Sequence, residues 1–289
     1  MKRIWLFSAA LSVCALELVF LADRLPAFLV QSLLLLLAVL PLLLYRHGID
    51  ARPKAAWAGG EKSALLLYSI LIQASLCFAG FYFSDDALRH LHEGAAILRG
   101  IDVYALPPRA WPSWLENVPL NWEHSHIGSV YFPFTQLLST AGAFVSPSNG
   151  YILLFHLSAA LLGSALIHLS ARPGLLPAFL TSPAFVIISA GRHEDMIGAL
   201  AFLVSMQLFA RAKRSRAKLK RTFALCVAGG LAGTLCFIKP DGIILAAAVL
   251  AFRGRAVVPG AFLAALFFIW FSASFLWHGP ETLVAFLTN

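Results

Sequence analysis

The chain has 289 residues, of which 60% are hydrophobic and 12% are charged, and its mean hydropathy is +0.79. So large an apolar share excludes a soluble globular domain and predicts an all-α, polytopic membrane protein. The net charge of +8 does not indicate a nucleic-acid partner, because the basic residues fall in short clusters between apolar runs, as loop-orienting charges do.

The N-terminal part, residues 1–62, predicts a helical hairpin followed by a cytoplasmic loop. Apolar runs at residues 1–23 and 25–45 are each long enough to cross a bilayer. The segment that follows carries several cations, which mark it as cytoplasmic under the positive-inside rule: Arg46, Arg52, Lys54 and Lys62. A third helix at residues 63–83 therefore leads the chain to the outer face.

Residues 84–129 predict an outer, periplasmic loop that carries the catalytic motif and lies on the membrane surface. The loop opens with the sequence SDDALRHLHEG. Read as a helix, it places Asp86, Arg89 or His90, and Glu93 on one face, since residues three and four apart are neighbours. Such groups are costly at a membrane unless they are paired, hydrated or used in function. The alternative for Asp85 and Asp86 is helix capping.

Residues 130–289 predict the remaining helices of a single integral membrane domain that spans residues 1–289. The basic run at residues 211–221 is assigned to the cytoplasm. Residues 130–147 are too short for a span and must then enter and leave on one side. Further helices are predicted at residues 151–170, 175–189, 196–210, 222–238 and 256–277. The total is about eight or nine membrane helices and one re-entrant or interfacial segment.

This topology brings three separate polar clusters to the outer face of the membrane. They lie at residues 85–93, 192–195 and 239–241. Because all three clusters are predicted on the same side of the membrane, the candidates for one site with the outer loop include Arg192, His193, Asp195 and Lys239. The alternatives without a functional role are a solvated turn for the second cluster and a snorkelling lysine paired with an aspartate for the third.

The histidines give weak signals. Two His-x-His pairs, His90 with His92 and His124 with His126, make a divalent metal site conceivable but do not indicate one. Interfacial histidines are the simpler interpretation, and no cofactor is expected. His156 and His168 stand alone in an apolar helix and are interpreted as satisfied packing residues.

Four segments together resemble a known family. They are SDDALRHLHEGAAILRGIDVY, HIGSVYFPFTQLL, GRHED and AGGLAGTLCFIKPDGIIL. In order and spacing they resemble the GT-C glycosyltransferases that use polyprenyl-phosphate sugars, and most of all the bacterial mannosyltransferase-like branch. The resemblance covers roughly residues 83–252 and implies a GT-C-like helical bundle.

The resemblance also implies roles for particular residues. Asp86, with Asp85 beside it, matches the catalytic aspartate of the first outer loop. The residues that match substrate-binding positions are Arg89, Glu93, Tyr104, Tyr131, Arg192, His193, Asp195 and Lys239. The chain departs from the family where Asp102 and Val103 replace Asn-Pro, which leaves the sugar and the acceptor undefined.

The activity implied is transfer of a mannose-like hexose from a polyprenyl-phosphate donor to a lipid or glycan acceptor. It would occur at the outer face of a bacterial inner membrane, in one inverting displacement. Membrane lipid is an expected partner, and nucleic acid is not. Two alternatives stay open: a transporter for a polar or anionic substrate, and a non-catalytic subunit that binds lipid-linked glycan.

Overall fold

The structure, a computed structural model, describes most of the chain. The described residues are 2–21, 33, 57, 60–79, 86–111, 125–170, 176–238, 242–244, 246–247 and 257–288. The predicted helix at residues 25–45 lies outside them, apart from residue 33, as do Asp85 and Lys239.

All regular structure among the described residues is helical, which confirms the predicted all-α class. The helices are α1 (Lys2–Leu21), α2 (Glu61–Leu76), α3 (Asp86–Ile97), α4 (Pro133–Val145), α5 (Gly150–Leu169), α6 (Leu176–Leu180), α7 (Pro183–Ala190), α8 (Glu194–Arg214), α9 (Lys218–Leu235), α10 (Val258–Phe271) and α11 (Pro280–Thr288). A 3₁₀ turn lies at Pro108–Ala110, and α10 continues into a π-helical turn at Ser272–Leu276.

Three segments in the described part of the chain are long and apolar enough to cross a membrane: Gly150–Leu169, Glu194–Arg214 and Val258–Leu276. Each satisfies the length that a bilayer core requires of a helix. The total of about eight or nine spans stays a prediction.

The segment predicted as one helix at residues 175–189 consists of two helices, α6 and α7. The break has a local cause. Ser182 has extended backbone geometry, and its Oγ accepts a hydrogen bond of 3.1 Å from the backbone N–H of Phe185. Pro183 follows at the first helical position, where its missing N–H costs nothing. A serine cap before a proline therefore starts a new helix inside an apolar run.

The chain divides into two compact units. Unit 1 comprises residues 1–84 and 156–196, and unit 2 comprises residues 85–155 and 197–289.

In unit 1, helix α1 packs against α6 and α7, and α2 packs against the same two helices. Small and aliphatic side chains such as Ala15, Ile72 and Val186 form its core. A buried polar chain crosses this core, since Gln73 Nε2 donates to Ser189 Oγ at 3.1 Å and Gln73 Oε1 lies 2.8 Å from His156 Nδ1. Interhelical hydrogen bonds of this kind stabilise helix association in lipid.

His156 is buried in this core and its Nδ1 has a partner in Gln73, in agreement with its interpretation as a packing residue. His168, in contrast, is exposed near the end of α5 and does not fill a core position.

In unit 2, the closest helix pairs meet through glycine. A Cβ on Gly229 of α9 would overlap the carbonyl oxygen of Val257, and a Cβ on Gly260 of α10 would overlap that of Cys226. A Cβ on Gly94 of α3 would likewise overlap the carbonyl of Ser139 in α4. Small residues that let helix backbones approach are typical of membrane helix interfaces. The pairs α9 with α10 and α3 with α4 therefore pack backbone to backbone.

Candidate functional site

Helix α3 carries the densest group of candidate residues, and its first residue is Asp86. The helix buries most of its length against α4, as the close approach at Gly94 requires. Asp86, Arg89 and Glu93 follow one another along the helix with the predicted three- and four-residue spacing. The prediction that this stretch forms a helix is confirmed from Asp86 onward.

Glu93 is the centre of a buried hydrogen-bond network. Its side chain is fully buried, and its Oε1 accepts a charged hydrogen bond of 2.7 Å from Arg89 Nε. Its Oε2 accepts bonds from Ser129 Oγ at 3.0 Å and from Gln136 Nε2 at 2.6 Å. A buried carboxylate needs this degree of pairing, because an uncompensated charge in the interior is strongly destabilising. Glu93 therefore joins α3, the returning loop and α4.

Arg89 fastens the end of the outer loop to α3. Besides its bond to Glu93, its Nη2 donates to the carbonyl oxygens of Ile127 at 3.0 Å and Gly128 at 2.6 Å. Only 4% of its surface is exposed. In this conformation the guanidinium donates to backbone carbonyl oxygens of the loop. A contact of Arg89 with a leaving phosphate stays a prediction.

Asp86 differs from Glu93 in being only partly buried. Its Oδ1 accepts a hydrogen bond of 2.5 Å from the hydroxyl of Tyr131. This is the short distance expected of a hydroxyl bonded to a carboxylate. Asp86 thus combines a fixed orientation with a surface that a substrate can reach.

Tyr131 is itself held from several sides. Its carbonyl accepts a hydrogen bond of 2.9 Å from Tyr104 Oη, and its N–H donates to Ser129 Oγ at 3.3 Å. Its ring packs edge-on against His90, with centroids 4.2 Å apart, and lies 5.6 Å from the guanidinium carbon of Arg89. The tyrosine that orients Asp86 is therefore anchored by groups other than Asp86.

Two residues near this cluster have shifted pKa values. Burial, together with the charges of Glu93 and Asp102, raises the pKa of Tyr104, which keeps its hydroxyl protonated as the donor to Tyr131. Burial lowers the pKa of His92 to about 4, so that this imidazole is neutral near pH 7. Neither residue contributes charge to the cluster at neutral pH.

Arg192 lies in unit 1, in the turn between α7 and α8. Its φ of 54° is unusual for a residue with a side chain, and only 1% of its surface is exposed. Its Nη2 donates to the carbonyls of Ala79 at 2.5 Å and Leu76 at 3.3 Å, where α2 ends. A cation here is favoured by the helix dipole and by the carbonyls that lack helical partners. The turn is therefore a buried connection and not a solvated one.

The three residues that follow Arg192 differ in their exposure to solvent. His193 is half-buried, Glu194 is buried, and Asp195 is exposed in the first turn of α8. Carboxylates in the first turn are stabilised by the helix dipole. Asp195 is accessible to a ligand, whereas Glu194 is not.

Within unit 2, the structure brings together five of the predicted site residues: Asp86, Arg89, Glu93, Tyr104 and Tyr131. Arg192, His193 and Asp195 belong to unit 1. That these residues and Lys239 form one site with the α3 cluster stays a prediction.

Sequence reasoning missed Ser129 and Gln136, which complete the network around Glu93. A signal was present, because Gln136 lies in an apolar helix where a polar side chain needs a partner. No group of three or more potential ligands that could hold a metal occurs in the described part of the chain, which does not include His124.

No protein-family profile, curated protein or solved structure matches this chain.

Proposed function

We propose that the protein is a membrane glycosyltransferase in which Asp86 is the general base. It would transfer a mannose-like hexose from a polyprenyl-phosphate donor to a lipid or glycan acceptor at the outer face of a bacterial inner membrane. Asp86 takes the proton from an acceptor hydroxyl, whose oxygen attacks the anomeric carbon. The bond from that carbon to the phosphate oxygen breaks, and the electron pair leaves with the polyprenyl phosphate.

The observation that carries this proposal is the difference between Asp86 and Glu93 on one helix. Glu93 is fully buried and accepts three hydrogen bonds, so it supports the fold. Asp86 is reachable and is oriented by Tyr131. A base must lie within reach of its substrate and be held in a fixed geometry, and a well-placed one contributes about 10²- to 10⁴-fold to the rate.

The charges of the other candidates suit the leaving group in this scheme. A departing phosphate is stabilised by cationic side chains. Lys239 is the preferred candidate, because Arg89 and Arg192 donate to backbone carbonyls in this conformation. His193 and Asp195 are assigned to the orientation of donor or acceptor.

The test is transfer of a radiolabelled hexose from polyprenyl-phosphate mannose to extracted bacterial lipids by the purified protein in liposomes. Asp86→Asn is expected to reduce transfer about 10²-fold or more while the protein keeps its melting temperature. Glu281→Gln is the matched control, because Glu281 is also a carboxylate in the first turn of a helix and is exposed. It should retain wild-type transfer.

Three outcomes would count against the proposal. Equal transfer by wild type and Asp86→Asn would exclude Asp86 as the base. If the wild type binds the donor but transfers no sugar to any acceptor, the non-catalytic alternative replaces the enzyme. Movement of a polar solute across the liposome membrane, without transfer, would favour the transporter.

A further inference from the structure

Unit 2 contains an apolar cavity of about 490 Å³, and Tyr104 is the one candidate site residue among the described residues that line it. Ile269 lies near the end of α10, Ala273 lies in the π-helical turn and Trp277 directly follows it, and α11 contributes Leu283 and Phe286. Its volume falls within the range of roughly 300–1,000 Å³ that is usual for small-molecule sites.

Two of the polar side chains at the cavity wall, those of Thr282 and Tyr104, are bonded to partners within the protein. Thr282 Oγ1 donates to Asp102 Oδ2 at 2.5 Å, and Tyr104 Oη donates to the carbonyl of Tyr131 at 2.9 Å. Among the described residues, no charged side chain lines the cavity. Most of the lining residues are apolar, so this wall recognises a ligand mainly by hydrophobic contact.

The π-helical turn shapes one side of the cavity. Ser272, Ala273 and Leu276 line the cavity and belong to this turn, where one extra residue per turn interrupts the α-helix. Single π-helical turns inside α-helices are frequent at functional sites. The turn is therefore a second feature, independent of the lining chemistry, that marks this place.

The surroundings of the cavity identify the source of an apolar ligand. The segment Val258–Leu276, which forms one wall, is long and apolar enough to cross a membrane, and only 17% of its most apolar window is buried inside the protein. An apolar surface left so open is covered by bilayer hydrocarbon when the segment spans a membrane. The nearest apolar molecules are then lipid chains.

We propose that this cavity binds one hydrocarbon chain of a lipid. Tyr104 lines the cavity and bonds to Tyr131, whose hydroxyl bonds to Asp86. A lipid whose chain fills the cavity can therefore place its headgroup toward the α3 cluster. That last step rests on the proposed function, whereas binding of the chain does not.

The test uses the full-length protein in liposomes that contain trace amounts of a lipid with a photoactivatable diazirine near the end of its chain. One probe is a polyprenyl phosphate and the other is phosphatidylglycerol. After illumination, mass spectrometry should find adducts on the lining residues Ile269, Trp277 and Leu283. Ala273→Trp should reduce the yield of these adducts at least ~10-fold. The indole ring would displace several methylene groups of the lipid chain from the cavity, and each buried methylene is worth about fourfold in affinity.

The chain offers a matched control for each variant. Ser274 is next to Ala273 and is also exposed but does not line the cavity, so Ser274→Trp should leave labelling unchanged. A second pair, Leu283→Trp against Val284→Trp, repeats the comparison on α11 if the first variant does not fold.

Loss of labelling with either probe in Ala273→Trp or Leu283→Trp, but not in the controls, supports the proposal. Loss with the polyprenyl probe alone assigns the cavity to isoprenoid lipids, and loss with both assigns it to lipid chains in general. Adducts that persist in both cavity variants, or that avoid the lining residues, overturn it. Because labelling needs no turnover, Asp86→Asn should label like wild type even where transfer fails.

Discussion

The hydroxyl of Tyr131 donates a hydrogen bond of 2.5 Å to Oδ1 of Asp86, although the two residues are 45 positions apart in the chain. The backbone of Tyr131 is fixed at the same time by Tyr104 and Ser129. This bond holds one oxygen of the Asp86 carboxylate in a fixed position.

Tyr131→Phe should lower kcat/KM for sugar transfer by about 10- to 100-fold, since a hydrogen bond to a charged group is worth about 1.5–3 kcal/mol. The bond favours the charged carboxylate, so its loss should also move the acidic limb of the pH–rate profile to higher pH. Tyr68→Phe, a tyrosine change in unit 1, is the control for the substitution itself. A variant that loses rate without any change in its pH profile would show that Tyr131 does not act through Asp86.

Glu93→Gln should destabilise the protein by about 3–5 kcal/mol, because it leaves the buried guanidinium of Arg89 without its carboxylate. Thermal unfolding in detergent measures the change. In the double variant with Arg89→Met, the loss of unfolding free energy should be smaller than the sum of the losses in the two single variants, as expected of residues in direct contact. Additive losses would contradict the buried ion pair.

Gly229→Ala should destabilise the packing of α9 on α10 by about 1–3 kcal/mol, because its Cβ would overlap the carbonyl of Val257. Gly230→Ala is the matched control one residue along the same helix. Its Cβ would meet only ordinary contact, 3.7 Å from the carbonyl oxygen of Gly260, and alanine is the better helix former. Equal melting temperatures for the two variants would contradict the backbone contact.

His92 should make the protein less stable in acid. Its pKa of about 4 in the folded state lies below the ordinary value of 6.5, so below pH 6.5 the unfolded chain binds a proton that the folded protein does not. Stability is then fully present above pH 6.5 and is lost as the pH falls toward 4, by up to about 3 kcal/mol. His92→Gln should flatten the dependence of melting temperature on pH, and exposed His278→Gln should not.

The sequence predicted the helical class and the residues of α3 well, because hydrophobic runs and three- and four-residue spacing are local properties. Asp86, Arg89 and Glu93 are brought together as expected of one helix face. The break at Ser182 was also encoded locally, by a capping serine before a proline, but the apolar run around it concealed the signal.

The partners of these residues were less predictable, because they depend on tertiary contacts. Nothing in the sequence around Arg192 indicates that its side chain donates to the carbonyl of Ala79, just after the end of α2. Likewise, Gln136 reaches Glu93 from α4, which Gly94 lets approach α3 closely, and Ser129 reaches it from the loop before α4. A sequence identifies groups that need a partner, and the fold determines which partner they obtain.

The network around Glu93 is built from residues 86–136, a short stretch of the chain. Contacts within such a stretch lose less loop-closure entropy than contacts that span the whole chain. This polar centre needs only α3, the loop after it and α4, all of which are synthesised before α8, α9 and α10. During biosynthesis the Asp86–Tyr131 bond can therefore form while the later helices are still on the ribosome, and it gives them an assembled surface to pack against.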